Sequence, residues 1–66
     1  MAENSVEGLR EVNTRAQVAA FLNVDPKTVS REIQRGNMKC MHVGRAIRIT
    51  RQQVAAYMAR QGARDE

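Results

Sequence analysis

A single cysteine, Cys40, stands in the chain, so no intramolecular disulfide can form and no disulfide framework exists. That fits a reducing cytoplasm. No apolar run approaches the roughly 20 residues needed to cross a bilayer, so no membrane partner is expected. The opening residues MAENSVEG are polar and acidic, which excludes a signal peptide. His42 is the only histidine. With Cys40 it makes two candidate ligands on one strand face, short of the roughly four a zinc site needs. No metal and no cofactor are therefore expected. No Ser/His/Asp set, phosphate loop or paired carboxylate is present, so no catalytic residues are assigned. The chain's 66 residues allow one domain. A chain of this size buries only about 60% of its unfolded surface, which leaves little room for the deep pocket of an enzyme.

What the chain has is positive charge, unevenly placed. The total is +4. Residues 1–11 carry Glu3, Glu7 and Glu11 against Arg10. Residues 12–52 carry Arg15, Lys27, Arg31, Arg35, Lys39, Arg45, Arg48 and Arg51 against only Asp25 and Glu32. In the last stretch, Arg60 and Arg64 balance Asp65 and Glu66. A basic middle suits a polyanion, nucleic acid being the commonest. Charge alone equally fits a solvated basic face, or a protein-interaction module with no specific DNA affinity.

Punctuation along the chain predicts three helices and one hairpin. Thr14-Arg15-Ala16-Gln17 is a capping box. It opens a helix whose apolar stripe is Val18, Ala19, Phe21 and Leu22, ending near Leu22. Asn23-Val24 is a tight connector. Asp25 caps a second helix with Pro26 at its first position. Val29 and Ile33 face inward, and Gly36 ends the helix as a left-handed cap with help from Asn37. Lys39–Val43 and Ala46–Ile49 read as two strands around Gly44-Arg45. Met41, Val43, Ile47 and Ile49 are expected on the buried face, with His42 and Arg48 outward. Val12 is expected to add a short strand. Thr50-x-x-Gln53 is a second capping box, opening a last helix with Val54, Tyr57 and Met58 inward and Gly62 as its stop. Residues 1–8 and 63–66 read as disordered tails, leaving 9–62 as the domain. The fold class is mainly α with a small β-hairpin: three helices plus a two-stranded wing.

The first two helices meet the demands of a helix-turn-helix. Ala19 is small where the helices cross, and Val18, Leu22, Val24, Val29 and Ile33 flank the crossing. Pro26, Lys27, Thr28, Ser30, Arg31 and Gln34 form the outer side of the second helix, which a DNA major groove accommodates. Arg31 can pair bidentately with a guanine edge. Lys27 reaches a base or a phosphate, and Thr28, Ser30 and Gln34 donate to bases or to the backbone. Arg15 and Arg35 are backbone-phosphate candidates. The wing offers Lys39, His42, Gly44, Arg45 and Arg48, with Arg45 at the tip suited to a narrow minor groove.

With those residues in hand, Thr14 to Met58 resembles the excisionase family, winged helix-turn-helix domains related to MerR-like DNA-binding domains. The resemblance is carried by TRAQVAAFL, NVDPKTVSREIQRG and MHVGRAIRITRQQVAAYM, and most specifically by V-G-R-x-x-R-I before a capped helix. It implies a recombination directionality factor. Such a protein binds repeated attachment sites on double-stranded DNA, self-associates on adjacent sites, bends the DNA and steers a phage or mobile-element integrase toward excision. The family also contains small transcriptional regulators. The chain's brevity, with no room for an effector domain, is expected to favour the excisionase role. Asn23 stands where glycine is frequent in the family's turn. Glu32 stands where many relatives carry an apolar residue. Ala46 and Ile47 replace bulkier wing residues. Met38, Met41 and Met58 are expected to pack in the core, and Arg60 and Arg64 to sit on a solvated helix end.

Overall fold

The computed structural model describes residues 6–64, with side chains described through residue 61. Its elements run β1 (Val12–Asn13), α1 (Arg15–Leu22), α2 (Pro26–Gln34), β2 (Met41–Val43), β3 (Ala46–Thr50) and α3 (Arg51–Arg64).

Each boundary has a local cause. Thr14 is extended, its hydroxyl accepts from the Gln17 backbone N–H, and the Gln17 side chain accepts from the Thr14 N–H. The capping box thereby satisfies two groups that the helix itself leaves unpaired. Asn23 ends α1 in the left-handed region at φ 62°, its N–H reaching Ala19 and Ala20. Asparagine tolerates this geometry, so no glycine is needed here. Asp25 caps α2 by accepting from Lys27, with Pro26 in the first turn. At the far end Gly36 takes φ +82°. The Asn37 N–H donates to the Glu32 carbonyl and the Gly36 N–H to that of Ile33. This is a Schellman ending, and it needs the left-handed residue. The Thr50–Gln53 box opens α3 in the same reciprocal way as the first.

The expected stop at Gly62 does not occur, because α3 runs on to Arg64. Residues 6–8, expected to belong to the N-terminal tail, lie among the described residues. Residues 6–9 turn, with the Leu9 N–H on the Val6 carbonyl, and Leu9 is buried. The expected tails over 1–5 and 65–66 lie outside the described residues.

The expected strand at Val12 forms. The sheet has three antiparallel strands in the order β1-β3-β2. Leu9, Val18, Ala19, Val29, Met38, Ile49 and Val54 make the core, drawing on every layer of the fold. Ile33, Tyr57 and Met58 pack against it. Ala19 is fully buried where α1 meets α2, as a close crossing requires, while Val24 at the turn is 40% exposed.

The wing's two faces differ from the expected ones. Val43 pairs with Ala46, His42 with Ile47 and Met41 with Arg48. Opposed residues on an antiparallel pair share a face. The two-residue turn therefore places Met41 and Val43 with Ala46 and Arg48, and His42 with Ile47 and Ile49. Ile49 is fully buried while Val43 is 57% exposed. Met41 and Val43 are thus not core residues, and His42 and Arg48 project from opposite faces. Each strand alternates its faces as its own sequence predicts. The phase between strands is set by the turn length, and four apolar residues cannot all share one face across a two-residue turn.

The N-terminal segment is held by two polar side chains. Asn13 is buried. It accepts from the Arg10 N–H at 2.9 Å and donates to the carbonyls of Arg10 at 2.8 Å and Ile49 at 3.2 Å. Arg51, at the start of α3, donates from Nη2 to the Leu9 carbonyl at 2.7 Å and from Nε at 3.2 Å. Its backbone N–H reaches the Glu11 carbonyl. Asn13→Ala leaves the Ile49 carbonyl short of a partner and is expected to cost about 1–3 kcal/mol, the penalty for an unsatisfied buried group. Urea unfolding of the variant measures it.

Candidate nucleic-acid interface

At about 100° per residue, Val29 and Ile33 fix the inward direction of α2, and Arg31 lies opposite them. Lys27 and Gln34 lie to one side of Arg31, and all three are exposed, as is Pro26 at the helix start. Neither Lys27 nor Arg31 makes a side-chain hydrogen bond or ion pair with another described residue. Ser30 lies half-buried on one border of this arc and Thr28 half-buried on the other. Thr28 lines a shallow hollow of about 190 Å³ with Leu22, Val24 and Tyr57.

Arg15 connects the two helices. From the first turn of α1 its Nη1 donates to the Ser30 Oγ on α2 at 3.1 Å. Sequence reasoning placed both residues near DNA but did not bring them together. No short-range pattern reports a contact across 15 positions.

Glu32 occupies the border beside Thr28. Its Oε1 accepts from the Tyr57 hydroxyl at 3.1 Å and from Asn37 Nδ2 at 3.3 Å. Its Oε2 lies 3.7 Å from Arg35, and the Glu32 side chain is only 14% exposed. The carboxylate thus takes the place of an apolar contact between α2 and α3. Arg35, with 63% of its side chain exposed, keeps most of its guanidinium open to solvent beside Arg31. Arg60 donates to the Asn37 carbonyl at 3.3 Å, tying α3 to the same corner. The side chain of Arg64 lies outside those described.

The wing carries the second group of cations. Gly44 takes φ +63° at the first central position of the hairpin turn, which suits a type II′ turn and disfavours side-chain-bearing residues. That turn presents Arg45 at the tip, exposed and without a side-chain partner among the described residues. Lys39 and His42 are exposed as well. Lys39 precedes β2, which starts at Met41 and not at Lys39. Arg48 is half-buried, with Nη1 on the Ile47 carbonyl at 2.9 Å. Cys40 is half-buried against the core. Among the described residues no three His, Cys, Asp or Glu side chains gather as a metal-ligand group, and no helix is long and apolar enough to cross a membrane.

Two exposed cationic projections therefore stand on one small scaffold, one a helix face and the other a ribbon tip. The family model of the helix-turn-helix domain matches residues 14–62, about three quarters of the chain. No curated protein and no solved structure matches.

Proposed function

The chain belongs to the helix-turn-helix domain family, and on that footing we propose that it binds double-stranded DNA sequence-specifically. In this reading α2 enters a major groove and the Gly44-Arg45 tip enters the adjacent minor groove. The observation that carries it is the outward arc of Lys27, Arg31 and Gln34, exposed and backed by buried Val29. A groove 12 Å wide, roughly, admits such a helix. Arg31 reads a base edge, with Lys27, Gln34 and Thr28 beside it. Arg15, Ser30, Arg35, Lys39, His42 and Arg48 supply backbone and wing contacts around it.

Arg45 serves the minor groove through charge and not through base-edge pattern. Arg45→Ala is expected to weaken binding to specific and random duplexes by the same factor. It should also flatten the salt dependence by about 0.9 in slope, the share of one phosphate. Fluorescence anisotropy titrations at several salt concentrations read both quantities.

Within that reading the protein acts as an excisionase. Bound to repeated attachment sites, copies associate on adjacent sites, bend the DNA and bias an integrase toward excision, with no chemistry of their own. Support comes from the resemblance of V-G-R-x-x-R-I and the capped helix after it. The test is recombination in vitro with the cognate integrase, with and without this protein. An unchanged balance of excision and integration refutes the role. If the same protein instead represses a reporter at its element's promoter, the surface serves transcriptional regulation.

A further inference from the structure

We propose that Arg15 and Ser30 form one composite phosphate site spanning α1 and α2, and that Ser30 positions Arg15 and does not read a base. The inference rests on the DNA-binding reading and assigns one of its contacts to a specific pair.

The argument begins with the bond itself. Arg15 is exposed, Ser30 is half-buried, and the Nη1–Oγ separation is 3.1 Å. An exposed arginine ordinarily samples many rotamers, and fixing one costs entropy. Here the guanidinium is already held against the second helix. The bond uses a lone pair of the Ser30 oxygen, so the Ser30 O–H remains free to donate. Arg15 has five N–H donors and spends one. The remaining donors of both residues therefore meet around a single point on the border of the α2 arc. An oxyanion there takes a charge-assisted bond from Arg15 and a second bond from Ser30. In duplex DNA that group is a backbone phosphate, because base edges face the centre of the arc where Arg31 projects.

The surroundings agree. Arg15, Lys27 and Arg31 carry no carboxylate partner among the described residues. Asp25 has its Oδ1 on the Lys27 N–H. An anion at the Arg15–Ser30 border thus meets cationic flanks. Ser30 also sits beside the inward residues of α2, where its short side chain has little reach toward a base.

The experiment uses the full chain with Arg15→Ala, Ser30→Ala, Ser30→Thr and the double Arg15→Ala/Ser30→Ala, titrated against a specific and a random duplex. Arg15→Ala should weaken both duplexes on the order of tenfold, as expected for a charge-assisted bond, and flatten the salt slope by about 0.9. Ser30→Ala should weaken both by about fivefold, the loss of an ordinary hydrogen bond. Ser30→Thr keeps the hydroxyl and should restore affinity. The double variant should lose less than the product of the single losses, because the two residues share one phosphate. NMR of the DNA-free protein should show the Arg15 Nε–H signal become more mobile in Ser30→Ala. The pair is overturned if the losses multiply, or if Ser30→Ala changes base preference while sparing random duplex. If the unaltered protein binds neither duplex, the DNA-binding reading itself fails, an outcome distinct from multiplying losses on a protein that binds.

Discussion

Arg31→Ala is expected to lower the ratio of specific to random DNA affinity by about 1–3 kcal/mol, the worth of a bidentate arginine–guanine pair. That is roughly fivefold to 150-fold in preference. The expectation follows from position. Arg31 lies two residues from both Val29 and Ile33, which face the core, so it projects away from the protein. It is exposed and makes no side-chain bond to another described residue, so its removal leaves no buried group unpaired. The melting temperature should accordingly stay nearly unchanged, and any affinity loss belongs to the DNA contact. Competition titrations against random duplex measure the ratio. Equal losses on specific and random DNA would show that Arg31 meets only phosphate.

Ile49→Ala is expected to have the largest effect on stability, about 2–5 kcal/mol as for other fully buried large-to-alanine changes. Ile49 has no exposed surface and lies in β3, the central strand. Its backbone pairs with Asn13 in β1, and its carbonyl accepts from the Asn13 side chain. Truncation therefore opens a void beneath the strand that ties the N-terminal segment to the wing. A domain of this size is marginal to begin with. At 4–8 °C per kcal/mol, the midpoint should fall by roughly 10–40 °C. Val43→Ala is the control. Val43 is 57% exposed on the opposite face, so its truncation should change stability by less than about 0.5 kcal/mol. Thermal unfolding followed by circular dichroism compares the two. Equal losses would contradict the facing of the sheet.

Much of the fold was legible because short polar signals carry local geometry. Two capping boxes, the Asp25-Pro26 start and the Gly36 ending each depend on residues within a few positions, and all four formed. The helix-turn-helix core followed from apolar spacing, with Val18, Ala19 and Val29 buried. What was not legible depends on distance along the chain or on phase. Leu9 carries no local sign of burial and is core, its carbonyl held by Arg51 from 42 positions away. Glu32 stands near Arg35 on its own helix, but it also accepts from Tyr57 on α3, a contact across 25 positions that no local pattern reports. Gly62 promised a stop, yet the helix runs through it to Arg64. The candidate interface was legible as residue types on a helix face, whereas the Arg15–Ser30 contact needed the packed pair of helices.

The pairing of Val43 with Ala46 limits how this wing can vary. Adding or removing one residue at the tip would bring Arg48 onto the same face as His42 and turn every apolar side chain of one strand over. Changes in twos leave both faces intact. The reach of the tip can therefore be tuned across relatives only in paired steps of about 3.3 Å per residue along each strand, which makes the length of the wing a coarse, quantised setting and the identity of its tip residue the fine one.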